Sequence, residues 1–451
     1  MEYRATANEE NLLAIIDALR AQVEELTTQV CVLTARVAEL EAENAQLRGT
    51  SGGTPSWVKA NRPPRVKQPP KRRRQVCVRR RETPHEIQEH AVESCPDCGH
   101  KLADGWIHSS RQVIELLPPQ VRVVEHRFIR RRCGVCGKRW LPKVADVPLG
   151  VAGKRRFGAG IQSVVTLLRF AYRLPIAMIR RLLAELCGLQ ISAGQIVALT
   201  DGVATAGDST LQGIRNEIRG SPAVCSDETH WREDGFNGWL WTFATPTLRY
   251  FKCDRSRARK VAEEVLGEDF RGVVSSDFYA AYNQLPGGKQ RCWAHLLRDL
   301  HALKELHAEQ AAVVAWADAV AAVHTRAAAF ADARPKARRQ VQAGFERELA
   351  QLARPYRKRA GAPQRVLAAR IYRYRHELFV FVADPRVPAT NNLAERSLRP
   401  TVIARKISGG TRSAKGSQHR ATLMSLFGTW AAQEKNLLAS CKALLLTPAA
   451  A

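Results

Sequence analysis

Ala223-Val-Cys-Ser-Asp-Glu-Thr-His230 is the stretch of sequence that decides the fold. Its small and β-branched residues predict a buried strand that ends at an acid, Asp227. A second strand followed by an acid occurs at Gly272-Val-Val-Ser-Ser-Asp277, and a third acid, Glu395, lies in a segment with helical character. Two acids at strand ends and one on a late helix predict a site for divalent metal ions, which prefer carboxylate ligands.

The composition of the chain indicates a polyanionic partner. Its 451 residues include 70 lysines and arginines against 43 acids, which gives a formal net charge of +27. Clustered basic residues gain affinity for nucleic acids by releasing counterions, so the expected substrate is a phosphodiester. A basic membrane-surface protein is the alternative. It would need a basic amphipathic helix or a lipidation motif, and the sequence shows neither. No early apolar run resembles a signal peptide, and no apolar run is long enough to span a bilayer.

Residues 1–49 contain a heptad repeat. Its a positions are Ile16, Val23, Val30, Val37 and Asn44, and its d positions are Leu12, Leu19, Leu26, Leu33, Leu40 and Leu47. β-Branched residues at a with leucine at d favour a parallel two-stranded coiled coil, and Asn44 would fix its register. We therefore predict a leucine zipper that makes the chain a homodimer or a higher oligomer. A single amphipathic helix packed on its own chain is the alternative.

A basic linker is predicted over residues 50–90. Its densest cationic runs are Lys71, Arg72, Arg73, Arg74, Arg79, Arg80 and Arg81. Such a block cannot bury a core and is expected to be disordered by itself. We predict that these side chains contact the DNA backbone. A solvated linker that only increases solubility is the alternative.

Two CxxC pairs, each followed by glycine, predict a zinc-binding domain over residues 91–148. The four thiols are Cys95, Cys98, Cys133 and Cys136. Thiolates at this spacing can hold one tetrahedral ion, and four of them leave no open position, so we expect one structural Zn²⁺. The segments 112–117 and 121–129 between the pairs are predicted to form a hairpin. A redox role is the weaker alternative, because neither pair lies in a βαβ unit.

Residues 149–220 are predicted to be helical. Apolar residues recur there at helical spacing, and one helix is predicted to stop at Gly188. Ser192 and Gln195 have the spacing of a capping box and are expected to open the next helix. A helix, a glycine-containing turn and a capped helix form the outline of a helix-turn-helix, so this region is a candidate for DNA binding. Plain helical packing remains equally open.

The residues after Gly220 predict a mixed sheet. Strands are predicted at 223–227, 238–244, 248–252, 272–276 and 291–295, with a helix at 258–266. The first three strands are expected to be antiparallel, and the fourth to lie parallel to the first after a right-handed crossover. This order is the start of a ribonuclease-H-like fold, here over residues 221–303. In that fold Asp227 and Asp277 would be neighbours, and two such carboxylates repel unless cations lie between them.

An alanine-rich helical insertion is predicted over residues 304–388, with basic runs at 334–339 and 354–359. It is expected to grip DNA, or else to be a solvated helical pair. A final helix of the core at 389–410 and a C-terminal helical element at 411–451 follow. The predicted fold class is therefore multidomain α+β, with an N-terminal coiled coil, a four-cysteine zinc-binding domain, a helix-turn-helix-like region and a ribonuclease-H-like α/β core that carries an α-helical insertion.

In combination, these motifs resemble the transposases of the insertion-sequence-66 type, which belong to the Asp-Asp-Glu transposases. The matching pieces are the zipper, the CPDCG and CGVCG turns, the SDET strand end, Cys292-Trp-Ala-His295 and Asn391-Asn-Leu-Ala-Glu-Arg-Ser-Leu-Arg-Pro400. The resemblance implies that Asp227, Asp277 and Glu395 are the catalytic acids. They would hold two Mg²⁺ ions when DNA is bound.

The resemblance also implies the partners. Double-stranded DNA would supply both the element's terminal inverted repeats and the target, with water cutting the ends and the freed 3′-hydroxyl joining the target. The predicted phosphate contacts are His295, Arg298, Arg396, Arg399 and Lys406. Helper proteins encoded by the element and a location in the bacterial cytoplasm at the nucleoid are further expectations. Phe278 departs from the family pattern, which often has glycine after the second acid.

Two other functions stay open. The first is a DNA-binding regulator without catalysis, against which the intact set of three acids argues. The second is a ribonuclease-H-like nuclease without strand transfer, which the sequence separates poorly from a transposase. Three other acids, Glu228, Asp254 and Asp299, rank below the chosen set. Glu228 directly follows Asp227 and is expected to point to the opposite face of an extended strand.

Overall fold

The structure, a computed structural model, describes residues 7–49, 81–103, 105–114, 119–141, 156–330 and 335–447. The chain divides into two compact units, residues 1–115 and residues 116–451. Most of the predicted cationic linker lies outside the described residues, namely Lys71, Arg72, Arg73, Arg74, Arg79 and Arg80. Their contact with DNA stays a prediction.

A long helix, α1 (Ala7–Gly49), occupies the predicted zipper. Side chains are described for residue 16 and residues 18–42 of this helix. Within that range, all the apolar a and d side chains are exposed, namely Ile16, Leu19, Val23, Leu26, Val30, Leu33, Val37 and Leu40. The helix is confirmed, and its pairing with a second copy stays a prediction. Leu12, Asn44 and Leu47 fall outside the described side chains.

The second unit contains two sheets and a series of helices. The short strands are β1 (Arg131–Arg132) and β2 (Arg139–Trp140). The main strands are β3 (Ala223–Glu233), β4 (Phe236–Ala244), β5 (Arg249–Asp254), β6 (Val273–Ser276) and β7 (Gly288–Arg291). The helices are α2 (Ala159–Phe170), α3 (Ile176–Cys187), α4 (Ala193–Ala206), α5 (Asp208–Arg219), α6 (Arg259–Leu266), α7 (Trp293–Leu306), α8 (Ala311–Ala329), α9 (Pro335–Ala353), α10 (Arg365–Tyr374), α11 (Val380–Ala383), α12 (Asn392–Ser408), α13 (Ala414–Ala432) and α14 (Leu437–Leu446).

The main sheet has five strands in the order β5-β4-β3-β6-β7. β3, β4 and β5 are antiparallel, whereas β6 pairs with β3, and β7 with β6, in parallel. The predicted order and directions of the first four strands are therefore confirmed. The crossover from β5 to β6 runs through α6, whose apolar face is buried against the sheet.

Two predicted strand ends and one predicted hairpin were wrong. β3 does not end at Asp227 but continues to Glu233, because its outer half pairs with β4 up to the turn at Asp234. The fifth strand ends at Arg291, and the residues from Trp293 onward belong to α7. The described residues 119–130 form no strand, so the hairpin predicted between the CxxC pairs is absent there.

The helical region before the sheet agrees with its predicted outline. α3 ends at Cys187, and the next residue, Gly188, has a φ of 62°, the left-handed conformation that glycine adopts most easily. α4 opens with a capping box in which the Ser192 side chain accepts from the Gln195 amide and the Gln195 side chain accepts from the Ser192 amide. Val165, Ile179 and further apolar residues of α2–α4 form one small core. DNA binding by this region stays a prediction.

The described part of the insertion is helical, as predicted. α8, α9, α10 and α11 pack with α7 around a second core that includes Trp293, Val320 and Phe379. This core also takes in Ala223 and Phe278, so the insertion packs directly against the main sheet beside the acids. None of the described helices combines the length and apolar character needed to cross a bilayer.

Arg291, at the end of β7, joins the insertion to the sheet. Its side chain is fully buried and lies over the ring of Tyr374. Its guanidinium donates to Glu377 at 2.7 Å, to the Asn283 side chain at 2.6 Å and to the Asp277 carbonyl oxygen at 2.9 Å. A fully buried cation needs such partners, because desolvating an unpaired charge costs several kcal/mol.

We predict that Arg291→Met lowers the free energy of unfolding by about 3 kcal/mol, because the three acceptors lose their buried donor. Urea unfolding of the full chain, followed by tryptophan fluorescence, measures this change, since Trp241 and Trp293 are buried in the two main clusters. The control is Arg298→Met, an exposed arginine on α7. Equal unfolding midpoints for the two variants would contradict the prediction.

Candidate active site

The parallel pairing of β3 with β6 brings two acids together. In this ladder Cys225 is paired with Ser275. Asp227 lies two residues beyond Cys225, and Asp277 lies two residues beyond Ser275. Side chains two residues apart in a strand share one face, so continuing this register by two residues would bring both carboxylates to the same side of the sheet.

Asn391 holds the start of α12 against these strands. Its side chain is fully buried, and its amide group donates to the Ser226 carbonyl oxygen at 2.8 Å. Its backbone N–H donates to Cys292 Sγ at 3.1 Å, and its carbonyl oxygen accepts from the Glu395 N–H at 3.2 Å. The first turn of α12, with Glu395, therefore begins next to the residue that precedes Asp227. Sequence reasoning gave Asn391 no role; an asparagine before a helix indicates a cap, but the Asn391 side chain makes no capping hydrogen bond to α12.

The pKa of Asp227 reflects the charges of the other acids. Its pKa is raised to about 7, first by burial and next by the charge of Glu228. The charges of Asp277 and Glu395 raise it further, while a hydrogen bond of 2.9 Å from the Glu228 amide opposes the shift. A buried carboxyl group beside other carboxylates is hard to ionise unless a cation is present.

The loop that carries Asp277 is fixed from two sides. The Tyr279 amide donates to Asp277 Oδ1 at 2.9 Å, and Arg291 holds the Asp277 carbonyl oxygen. Phe278 lies in the second core, with its ring centroid 5.6 Å from that of Tyr374 on α10. The residue that departs from the family pattern therefore packs between the loop and the insertion.

The Glu228 side chain belongs to a buried network of hydrogen bonds and an ion pair. Its side chain is only 1% exposed and pairs with Arg257 at 2.8 Å. The Tyr282 hydroxyl donates to it at 2.5 Å. Burial raises the pKa of Glu228, and the bonds from Tyr282 and Arg257 oppose that shift. Its carboxylate is thus occupied away from the Asp227 side chain, as the alternation of an extended strand predicts.

The two other acids considered from the sequence also have partners. Asp254 accepts from the Ser256 amide at 2.8 Å, next to the end of β5. Asp299 accepts from Arg370 of α10. Both carboxylates therefore have structural roles in this chain.

His295 and Cys292 lie beside Glu395. His295 Nε2 is 3.7 Å from Glu395 Oε1. Contact with Cys292 raises the pKa of His295, and the charges of Glu395 and Asp277 add to this. In the described part of the chain, Cys292, His295 and Glu395 form a group whose possible ligand atoms all lie within 4.8 Å of one another. That group includes neither Asp227 nor Asp277.

The other predicted DNA contacts lie at the surface where they are described. Arg298 is exposed on α7, and Arg396, Arg399 and Lys406 are exposed on α12. α12 runs to Ser408, so Arg399 and Lys406 lie on the same helix as Glu395. Arg81 donates to the Ser110 carbonyl oxygen at 2.7 Å.

The two CxxC pairs adopt matching turns, each described within its own unit. Cys95 N–H donates to the His100 carbonyl oxygen at 2.8 Å, and Cys133 N–H donates to that of Lys138 at 2.8 Å. Gly99 and Gly137 then have φ values of 73° and 69°.

The backbone of each turn also prepares a thiol for metal binding. Amide groups of Cys98 and Asp97 lower the pKa of Cys95, and those of Cys136 and Val135 lower the pKa of Cys133. Thiolates are the species that bind zinc, so both turns are suited to it.

Comparison with known proteins gives two family matches. The family described as Transposase IS66 family matches residues 154–419, more than half of the chain. The family described as zinc-finger binding domain of transposase IS66 matches residues 93–137. Among curated proteins, the chain is 27% identical over 217 residues to the uncharacterized protein y4qI of Sinorhizobium fredii (strain NBRC 101917 / NGR234). That match covers 42% of this chain and 40% of the relative.

The raised pKa of Asp227 predicts a pH-dependent effect of Asp227→Asn. From about pH 4 upward the unfolded chain loses the proton that the folded chain keeps until about pH 7, so this carboxyl costs stability as the pH rises. In Mg²⁺-free buffer, we expect Asp227→Asn to be more stable than wild type by about 4 kcal/mol at pH 8 and by less than half of that at pH 5. Urea unfolding at both pH values measures this.

The matched control for that experiment is Asp318→Asn, which removes an exposed acid paired with Lys304. Exposed pairs contribute little, so this variant should follow wild type at both pH values. The account of Asp227 would be wrong if its asparagine variant gained no stability at pH 8.

Cys133→Ser is expected to lose one zinc ion per chain relative to wild type, because a tetrahedral thiolate site does not survive the loss of a ligand. Metal analysis of the purified chain measures the loss, and limited proteolysis should show faster cleavage within residues 91–148. Cys31→Ser, at an exposed cysteine of α1, is the control and should keep its zinc. Unchanged zinc content in Cys133→Ser would exclude these turns as the site.

Proposed function

The chain belongs to the IS66 family of transposases, and we propose that it binds the terminal inverted repeats of an insertion sequence, cuts their 3′ ends and joins them to target DNA in a Mg²⁺-dependent reaction. The observation that carries this proposal is the effect on Asp227 of two acids from distant parts of the sequence. Asp277 and Glu395 both raise the pKa of Asp227.

The residues present are suited to divalent cations. Ionising Asp227 in the absence of a cation is costly, because burial and the charges of neighbouring acids raise its pKa. Glu395 Oε1 is buried and has no hydrogen-bond partner among the described residues. Carboxylates that are half-buried, close together and incompletely paired are typical of Mg²⁺ sites that fill when a phosphate substrate binds.

We propose that Asp227, Asp277 and Glu395 hold two Mg²⁺ ions together with the scissile phosphate. When bound, the ions would activate the attacking oxygen and stabilise the leaving 3′ oxygen. The protein residues orient this group: the Tyr279 amide fixes the Asp277 carboxylate, and Asn391 fixes the first turn of α12. Asp227 would give up its proton as the cations bind, since they lower the cost of its charge.

Basic side chains on the helix that carries Glu395 indicate where the DNA would bind. Arg396, Arg399 and Lys406 extend from the same helix and are exposed. Arg298 is exposed on α7, the helix that also carries His295. We propose that these side chains hold the phosphates that flank the scissile bond, supported by the net charge of +27.

The remaining regions fit the same role. The order β5-β4-β3-β6-β7 and the acid-bearing helix α12 support a ribonuclease-H-like core. We propose that α2–α4 bind DNA as a helix-turn-helix and that the apolar stripe of α1 pairs two chains. Residues 93–137 form the zinc-finger domain of the family, and we propose Cys95, Cys98, Cys133 and Cys136 as the ligands of one structural Zn²⁺.

The test uses oligonucleotides that carry the terminal repeats flanking the gene. With Mg²⁺, wild type should cut them and join the 3′ ends to a target duplex. Asp277→Asn should bind the same DNA and lose at least about 1,000-fold in both rates, which corresponds to about 4 kcal/mol of transition-state stabilisation. Asp318→Asn is the control that keeps both activities.

Three results separate the alternatives. Cutting without joining would make the chain a nuclease. DNA binding without either reaction, in wild type, would make it a regulator. Full activity of Asp277→Asn would remove Asp277 from the site.

A further inference from the structure

A thiol and an imidazole stand beside the third acid, in a place that a Mg²⁺ mechanism does not explain. Cys292 is the N-cap of α7 and is fully buried. His295 follows three residues later, which puts both on the same side of the first helical turn. Glu395 lies in the first turn of α12, and the hydrogen bond from Asn391 to Cys292 Sγ ties the two helix starts together.

The side-chain atoms of this cluster have unused bonding capacity. His295 Nδ1 and Glu395 Oε1 are both buried without a hydrogen-bond partner among the described residues. Cys292 Sγ, a His295 ring nitrogen and a Glu395 oxygen lie within 4.8 Å of one another. Buried polar atoms without partners are rare in folded proteins and require an explanation such as an absent ion.

We propose that Cys292, His295 and Glu395 bind a second zinc ion, distinct from the one held by the CxxC turns. Zinc accepts one sulfur, one nitrogen and one oxygen ligand at about 2.0–2.3 Å, which puts the ligand atoms about 3.3–3.8 Å apart. The cluster needs only a small contraction to reach those separations. A thiol and an imidazole are poor ligands for Mg²⁺, which demands oxygen, so the donor set selects zinc.

Three protein ligands leave a fourth position of the zinc ion open. Such sites exchange water or substrate, unlike the closed four-thiolate sites that only stabilise a fold. Here the shared ligand is Glu395, so zinc would engage the carboxylate that the proposed Mg²⁺ pair requires. The inferred consequence, which rests on the proposed function, is that zinc inhibits the Mg²⁺-dependent reaction by holding Glu395 toward α7.

Zinc binding is tested without DNA and without any activity. The full chain is loaded with zinc, freed of excess metal and analysed for zinc per chain. Wild type should hold two ions, and Cys292→Ser and Glu395→Gln should each hold one. Cys441→Ser, at another fully buried cysteine, should hold two. Using two variants on different helices keeps the result independent of a folding defect in either one, which circular dichroism checks.

Cobalt substitution identifies the ligands of the second site. Co²⁺ in a site with one thiolate, one imidazole and one carboxylate absorbs differently from Co²⁺ in a four-thiolate site. The spectrum of wild type minus that of Cys292→Ser should show a single-thiolate site. The same zinc content in wild type, Cys292→Ser and Glu395→Gln would overturn the proposal and leave Cys292 and His295 as groups that only position Glu395.

The inhibitory consequence has its own readout. In the cutting assay, the zinc concentration that halves the rate, measured relative to the zinc-free rate of the same variant, should rise at least tenfold in Cys292→Ser. A chain that binds the second zinc but never cuts DNA would keep the zinc site and refute the proposed function. A chain that cuts DNA but binds only one zinc would keep the proposed function and refute the second zinc site.

Discussion

The parallel pairing of β3 with β6 is the constraint on which the rest of the molecule depends. It sets the register in which Cys225 is paired with Ser275, and Asp227 and Asp277 each follow that pair by two residues. A slip of one residue would turn one of these carboxylates to the opposite face, since side chains alternate along a strand. β6 is only four residues long, so its position relies on the neighbouring strand β7 and on the helices that cover it.

Two buried polar side chains connect the distant parts of the sequence to that pair of strands. Arg291 links the helical insertion to the Asp277 loop through Glu377 and the Asp277 carbonyl oxygen. Asn391 links the start of α12 to β3 and to α7. Because buried polar groups are costly to leave unpaired, these bonds specify one arrangement of insertion, loop and helix. Glu395 is therefore near enough to Asp227 for its charge to raise the pKa of that acid, although the two lie far apart in the sequence.

The order of the first four strands, the capping box at Ser192, the helical insertion and the long N-terminal helix could all be predicted, because each leaves a local periodic or capping signal. The outer half of β3 could not, since its pairing with β4 depends on a tertiary partner. The strand predicted over 291–295 failed because β7 ends at Arg291 and Cys292 is already the N-cap residue of α7. Asn391, Arg291 and the approach of Cys292 to Glu395 left no local signal, as they depend on contacts between distant segments.

The central claim is that Asp227, Asp277 and Glu395 surround a common set of cations. The most direct test is a crystal structure of the full chain with Mn²⁺ and terminal-repeat DNA, in which anomalous scattering locates the ions. The account predicts two peaks, with oxygens of all three carboxylates within about 2.0–2.6 Å of them. Peaks bound by the two aspartates alone, with the Glu395 side chain directed away from both ions, would contradict it.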